Sequence, residues 1–232
     1  MSVAVIVQAR MSSARLPGKV LTDLGPGTTL ELLARRLDRV LEADAFVIAT
    51  STGKDDDPVA AVAEKAGLQV VRGPLDDVLE RYRLAAATVG CDTVVRITSD
   101  CPLAEPSVID RVIRLFEDDD RVQYVWNTRE PRSFPDGLDV EVVSRAALEA
   151  AAAEADDPYD REHVTPFVRE RPDRFPQRAL KLEPPVRTIK LSLDTDDDLA
   201  TIRSFIERVG PDANLAEILR AAGGGSSRMV AE

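Results

Sequence analysis

Two groups of residues could do chemistry, and they carry opposite charge. The first follows a run of small and β-branched apolar residues, Val3-Ala4-Val5-Ile6-Val7, and reads Gln8-Ala9-Arg10-Met11-Ser12-Ser13-Ala14-Arg15-Leu16-Pro17-Gly18-Lys19. No acid occurs between Met1 and Thr22, although the chain of 232 residues holds 41 Asp and Glu against 30 Lys and Arg, a net charge of -11. Backbone N–H groups in such a loop, joined by Arg10, Arg15 and Lys19, suit a polyphosphate. The second group is a pair of aspartates, each directly after an apolar run. Asp100 stands in Ser99-Asp100-Cys101-Pro102 after Thr93–Thr98, and Asp194 follows Thr188–Leu193. Carboxylates beside a triphosphate repel it by about 4 kcal/mol per unit pair, at about 4 Å and a surface-like dielectric. A divalent cation reverses that sign, and Mg2+ typically sits on one or two carboxylates plus substrate phosphates. Plainer readings compete: Asp100 also suits a turn or helix cap, and Asp194-Thr195-Asp196-Asp197-Asp198 an acidic helix start.

For these groups to meet, the runs before them must end on one rim of a sheet. Val3–Val7, Ala45–Ser51, Gln69–Val71 and Thr93–Thr98 read as buried strands. Helical periodicity fills the gaps: Thr28-Thr29 to about Ala43, Asp55 to about Gly67, and Asp76 to Thr88. Such alternation with short connections predicts a parallel sheet covered by helices on both faces, whose ligands bind at the carboxyl ends of the strands. The second half is less regular. It predicts a helix over Pro106–Glu117, strands at Tyr124–Asn127, Gly137–Val143 and Thr188–Leu193, and helices over Ser144–Ala155, Asp160–Arg169, Leu199–Val209 and Leu215–Ala222. Residues 223–232, opening with GGGSS, read as a frayed tail on a single domain spanning 1–222.

Several familiar sites are excluded. Lys19 is followed by Val20, and no glycine stands five residues before Gly18, so there is no Walker A loop; nor does G-x-G-x-x-G follow the first strand. His163 is the only histidine, and Cys91 and Cys101 form no C-x-x-C pair, which leaves no Ser-His-Asp or Cys-His arrangement and no histidine-based zinc site. An acidic chain of 44% apolar and 31% charged residues is expected to bind no nucleic acid. With no apolar run long enough to span a membrane and no leader-like start, the cytoplasm is the default compartment. Tyr124 and Trp126 are expected in the core, and Asp77 and Arg81 stand four apart, as in a helix-surface pair.

The opening string Val3–Leu21 resembles the signature of sugar nucleotidyltransferases, specifically the cytidylyltransferases that make CMP-activated sugars. Among these it is most similar to the branch named for spore-coat polysaccharide biosynthesis protein F, which is related to the CMP-Kdo and CMP-sialic acid synthetases. The resemblance runs to about residue 210. It implies a three-layer, Rossmann-like α/β fold (GT-A-like) with a mostly parallel mixed sheet and an acceptor-side insertion near 124–185. It also implies CTP and a sugar or related anionic acceptor as partners, Mg2+ as cofactor, and pairing as homodimers. On this likeness Gln8, Ala9, Arg10, Gly18, Lys19, Arg72 and Arg81 would bind the nucleotide, and Arg10, Arg15 and Lys19 would stabilise the leaving phosphates. Asp100 and Asp194, the latter within D-T-x-x-D-L, would hold the metal. Asp139 and Glu141 of Gly137-Leu138-Asp139-Val140-Glu141, with Arg161 and His163 of Arg161-Glu162-His163-Val164-Thr165-Pro166, would wall the acceptor. Two other readings stay open: a glycosyltransferase using Asp194-Thr195-Asp196 as a D-x-D metal motif, and a nucleotide-binding homologue without turnover.

Overall fold

The computed structural model describes residues 1–232. Its strands are β1 (Val3–Gln8), β2 (Ala45–Ser51), β3 (Gln69–Gly73), β4 (Thr93–Thr98), β5 (Tyr124–Trp126), β6 (Glu141–Ser144), β7 (Gln177–Glu183) and β8 (Arg228–Ala231). The helices are α1 (Thr29–Leu37), α2 (Asp57–Lys65), α3 (Val78–Val89), α4 (Pro106–Glu117), α5 (Arg145–Glu154), α6 (Pro158–His163), α7 (Pro166–Arg169), α8 (Asp196–Val209) and α9 (Leu215–Ala221). Local chemistry explains the main helix starts. Thr28 and Glu31 form a capping box on α1, Asp77 caps α3, and Thr195 with Asp198 forms a second box on α8. No helix is long and apolar enough to cross a membrane.

The eight strands make one mixed sheet in the order β3-β2-β1-β4-β6-β5-β7-β8. Strands β3, β2, β1 and β4 run parallel, β6 opposes both β4 and β5, and β8 opposes β7. One face carries α1, α2 and α4 through Leu30, Leu33, Val59, Ile109 and Ile113; the other carries α3 and α5 through Leu79, Tyr82, Ala147 and Leu148. The three-layer α/β architecture is therefore the one expected. The crossover changes face at α3, so the switch point falls between β1 and β4, and their carboxyl ends open the crevice where such sheets take ligands. A third apolar cluster joins α8 and α9 to Leu103, Leu138, Leu191 and Leu193 beside that crevice. Buried Arg36 ties α1 to the same end of the chain, donating to the carbonyls of Ala104, Pro211 and Ala213 at 2.8 to 3.0 Å.

The second half departs from expectation in five places. The strand expected at Thr188–Leu193 is an extended segment with one isolated bridge, Lys190 to Asp136. Its N–H groups serve loops, not a strand: Leu191 donates to the Asp136 carbonyl (2.6 Å) and Leu193 to that of Asp100 (2.8 Å). The strand expected at Gly137–Val143 begins only at Glu141. A strand that periodicity did not single out, β7, lies between Pro176 and Pro184, and the tail expected to fray supplies β8 against it. The helix expected over Asp160–Arg169 is broken at Val164, whose φ of 73° no helix tolerates, and Pro166 starts the next one.

Candidate active site

The cationic loop is held at three points. Ala9 continues the β1 ladder by donating to the Ala49 carbonyl (3.2 Å), and Asp56 accepts from the N–H of Met11 (2.7 Å). Gly18 then closes the loop by donating to the Met11 carbonyl at 2.9 Å. Its φ of 74° turns the chain into a single 3-10 turn, Lys19–Leu21, a conformation glycine adopts without strain. That turn directs Lys19 inward: its Nζ donates to Asp100 Oδ2 at 2.7 Å and to Asp194 Oδ1 at 2.9 Å. Arg15, two-thirds exposed, pairs with Asp194 at 2.9 Å. Thr98 donates to the other oxygen of Asp100 (2.5 Å), and the Leu193-to-Asp100 backbone bond fixes the two aspartate positions relative to each other. The cation loop, the end of β4 and the segment before α8 thus converge on one cavity of about 360 Å3.

The charges tune one another. Burial pushes the Lys19 ammonium toward neutrality, but Asp100 and then Asp194 outweigh it, so the lysine is held more firmly protonated than usual. Burial likewise raises Asp194, yet Lys19 and Lys190 together hold its carboxyl below the ordinary range. Lys190 bridges Asp194 (3.0 Å) to Asp198 (2.7 Å), the reciprocal partner of Thr195 in the capping box of α8. The acidic run is therefore both a helix start and a site wall: Asp198 completes the capping box, whereas Asp194 faces the cavity.

The other expected site residues divide. Gln8, Ala9, Arg10, Arg81 and His163 line the same cavity; Gly18 does not, and shapes the loop behind it. Arg10 reaches Glu162 and the Leu75 carbonyl, each at 3.4 Å. Arg81 is buried and makes no helix-surface pair with Asp77; its Nη1 donates to the carbonyls of Pro74 (2.7 Å) and Leu75 (2.6 Å), bracing the turn after β3. Asp77 instead pairs with Arg161, which also donates to Ala152 (2.7 Å), so Arg161 straps the start of α3 to the end of α5. Arg72 lies outside the cavity, donating to Ser51 and pairing with Asp57 at 2.8 Å. His163 is exposed against the ring of Tyr159.

Asp139 and Glu141 share a second, adjoining cavity of about 490 Å3 with Trp126, Arg132 and Arg169. Arg96 and Thr98 belong to both cavities. Burial pushes the Asp139 carboxyl up to about 6, against the pull of Arg132 beside it. Burial raises Glu141 too, but Arg96 reverses the balance and holds it ionised. A larger cavity, about 700 Å3, opens among Asp38, Asp44, Phe46, Lys65 and Gln69, at the amino ends of β2 and β3, away from every group that could react. Sequence reading missed Asp56 and Arg96: the first reads as one of three acids before a helix, the second as an interruption of a buried strand. That interruption, a lone cation in TVVRIT, was the available signal.

The matching family model, described as cytidylyltransferase, covers residues 4–219. The spore coat polysaccharide biosynthesis protein SpsF of Bacillus subtilis is 32% identical over 226 residues, 92% of this chain and 91% of that one. Among solved structures, a cytidylyltransferase from Leptospira borgpetersenii superposes with a TM-score of 0.92 at 31% identity, covering 96% of this chain and 94% of the other. A CMP:2-keto-3-deoxy-manno-octonic acid synthetase complexed with CTP shares the fold at a TM-score of 0.71 and 15% identity, over 90% and 99% of the two chains. With a model spanning nearly its whole length and a relative this alike from end to end, the chain belongs to the cytidylyltransferase family.

Proposed function

We propose that this chain transfers CMP from CTP to an oxygen of a sugar or related anionic acceptor and releases pyrophosphate, with the first cavity holding the nucleotide and the second the acceptor. The observation that carries the reading is the ammonium of Lys19 set between Asp100 and Asp194 beneath a loop bearing Arg10 and Arg15. In this reaction the acceptor oxygen forms a bond to the α-phosphorus as the bond to the β-phosphate oxygen breaks, and pyrophosphate leaves with that electron pair. Little covalent help is needed; alignment and charge neutralisation supply most of the catalysis. Arg10, Arg15 and Lys19 take up the charge growing on the leaving phosphates, each fixed donor in such a site being worth about a hundredfold or more in rate.

The donor set fits a divalent cation. Two carboxylates already converge on one positive centre, and two carboxylates completed by phosphate oxygens and water are what Mg2+ accepts. Asp100 and Asp194 would hold it, where it would supply electrophilic assistance to the phosphate oxygens. With the cation held there, Lys19 would turn from its carboxylate partners to the phosphate oxygens. A phosphate or phosphonate acceptor presents an oxygen that is already anionic and needs no general base, whereas a sugar hydroxyl must release its proton to solvent or to a nearby base as the O–P bond forms; exposed His163 lines the cavity where that proton leaves. The glycosyltransferase reading is disfavoured because Asp196 lies in the first turn of α8, and of the D-x-D run only Asp194 reaches the cavity.

The test is pyrophosphate release from CTP and Mg2+ with a panel of sugar acids, sugar phosphates and phosphonates, with the CMP adduct identified by mass. Acceptor-dependent release with CTP supports the reading. Turnover only of a preformed nucleotide sugar overturns it.

A further inference from the structure

Arg96 is a charge on an otherwise apolar sheet face. In the sheet register Ile6 stands opposite Arg96, Arg96 opposite Glu141, and Glu141 opposite Trp126. Two residues back along the strands, the same face carries Ala4, Val94, Val143 and Tyr124 within an apolar cluster. The face that receives α3 and α5 thus admits one ion pair, Arg96 to Glu141 at 2.5 Å, both side chains largely buried. Replacing a buried ion pair by apolar residues of similar volume is often neutral or stabilising, so packing alone gives no reason to keep one.

Its location does. Arg96 and Thr98 form the wall between the nucleotide cavity and the acceptor cavity. Glu141 is saturated: it accepts from Arg96, from the Tyr124 hydroxyl (2.6 Å) and from Thr165 (2.9 Å). Arg96 is not, since only its Nη1 is bonded within the chain and its buried Nε has no partner. Thr165 directly follows Val164, whose φ of 73° is an outlier for a β-branched residue. Resting on the functional reading above, we propose that Arg96 touches both reactants: its guanidinium meets the α-phosphate side of the nucleotide in one cavity and the acceptor's oxyanion in the other. It holds the attacking oxygen in line while the O–P bond forms and the bond to the leaving pyrophosphate breaks, and it neither gives nor takes a proton. Glu141, Tyr124 and Thr165 are positioning residues that act through it.

The experiment follows the Nε–Hε resonance of Arg96 in the 15N-labelled chain, assigned by its loss in Arg96→Lys. The probes are α,β-methylene-CTP with Mg2+, then methylphosphonate as a minimal oxyanion. We expect the resonance to move with the nucleotide analogue and to move again, saturably, with methylphosphonate. In Glu141→Gln and Thr165→Val the second response should weaken at least tenfold in apparent affinity, while the nucleotide still raises the melting temperature. Thr165→Ser should restore it. A resonance that ignores methylphosphonate, or follows only the nucleotide, overturns the two-sided role, as does an undiminished response in both positioning variants. A wild-type chain that does not bind the analogue at all removes the functional reading and this proposal together; binding without an Arg96 response removes this proposal alone.

Discussion

Substituting Gly137 by alanine tests how the fold places Asp194. Gly137 has φ of 99°, and a Cβ there would lie 2.4 Å from the Leu191 carbonyl carbon, 2.6 Å from the Ser192 nitrogen and 2.7 Å from the Leu191 oxygen. All three are backbone atoms of the segment that ends in Asp194, so none can swing aside as a side chain does. The positive φ alone costs an alanine about 1–2 kcal/mol. Forcing a methyl into that contact costs about 1–3 kcal/mol more. The sum, about 2–5 kcal/mol, corresponds to a melting temperature lowered by about 4–20 °C in a chain of this size. Gly25→Ala is the control, because Gly25 has φ of 100° with nothing within 4 Å of its would-be Cβ, and so incurs only the backbone part. The catalytic effect should exceed the stability effect, since a shift of about 1 Å in a positioned group costs on the order of a hundredfold in rate. Thermal unfolding of both variants, with CTP turnover assayed well below the melting point, separates the two contributions. Gly137→Ala melting no lower than Gly25→Ala, with unchanged turnover, would refute the claim that this backbone contact sets the position of Asp194.

Other perturbations reach other parts of the site. Lys19→Ala and Asp100→Asn should each lower turnover at least a hundredfold in protein that remains folded by circular dichroism, and near-normal rates in either would remove that residue from the site. Asp56→Ala strands the N–H groups of Met11 and Ser51, bonded to it at 2.7 and 3.2 Å; at about 1–2 kcal/mol each, the melting temperature should fall by about 4–16 °C, with nucleotide affinity weakening as well. Asp139, pushed up to about 6 by burial, binds a proton more tightly folded than unfolded. Its contribution is therefore fully present below the unfolded value near 3.8 and lost as pH rises through about 6. Asp139→Asn should accordingly gain stability relative to wild type between pH 4 and pH 8, and a melting-temperature difference that stays flat or falls with pH contradicts this.

The elements of the first half were legible because local rules set their bounds. Apolar runs gave β2 and β4 their bounds, Thr28 and Glu31 capped α1, and a charge island in an acidic chain marked the loop. The second half depends on contacts that no local window contains. The segment before Asp194 looks like a strand, since Leu191 and Leu193 alternate with polar residues, but its hydrogen bonds go to loops beyond the rim of the sheet. Gly137 reads as an ordinary turn glycine until Leu191 is seen against it. The tail forms β8 only because β7 offers a free edge, so nothing short of the sheet order could have revealed it. Arg81 illustrates the reverse: its spacing from Asp77 suits a surface pair, whereas tertiary packing buries it beneath the turn after β3. Arg96 was visible as a charge inside a buried strand, but its neighbours in space come from β6, β5 and the break after α6.

The most direct test of the account is thermal unfolding of the wild-type chain and Asp100→Asn with CTP, UTP, GTP or ATP, each with and without Mg2+. A ligand at about a hundred times its dissociation constant stabilises by about 2.7 kcal/mol, which moves the melting temperature by several degrees. A Mg2+-dependent rise with CTP above the other nucleotides, lost in Asp100→Asn, is the predicted result. Equal shifts with every nucleotide, or a CTP shift indifferent to both the metal and Asp100, would contradict the assignment of the cation loop and the two aspartates to metal-assisted cytidylyl transfer.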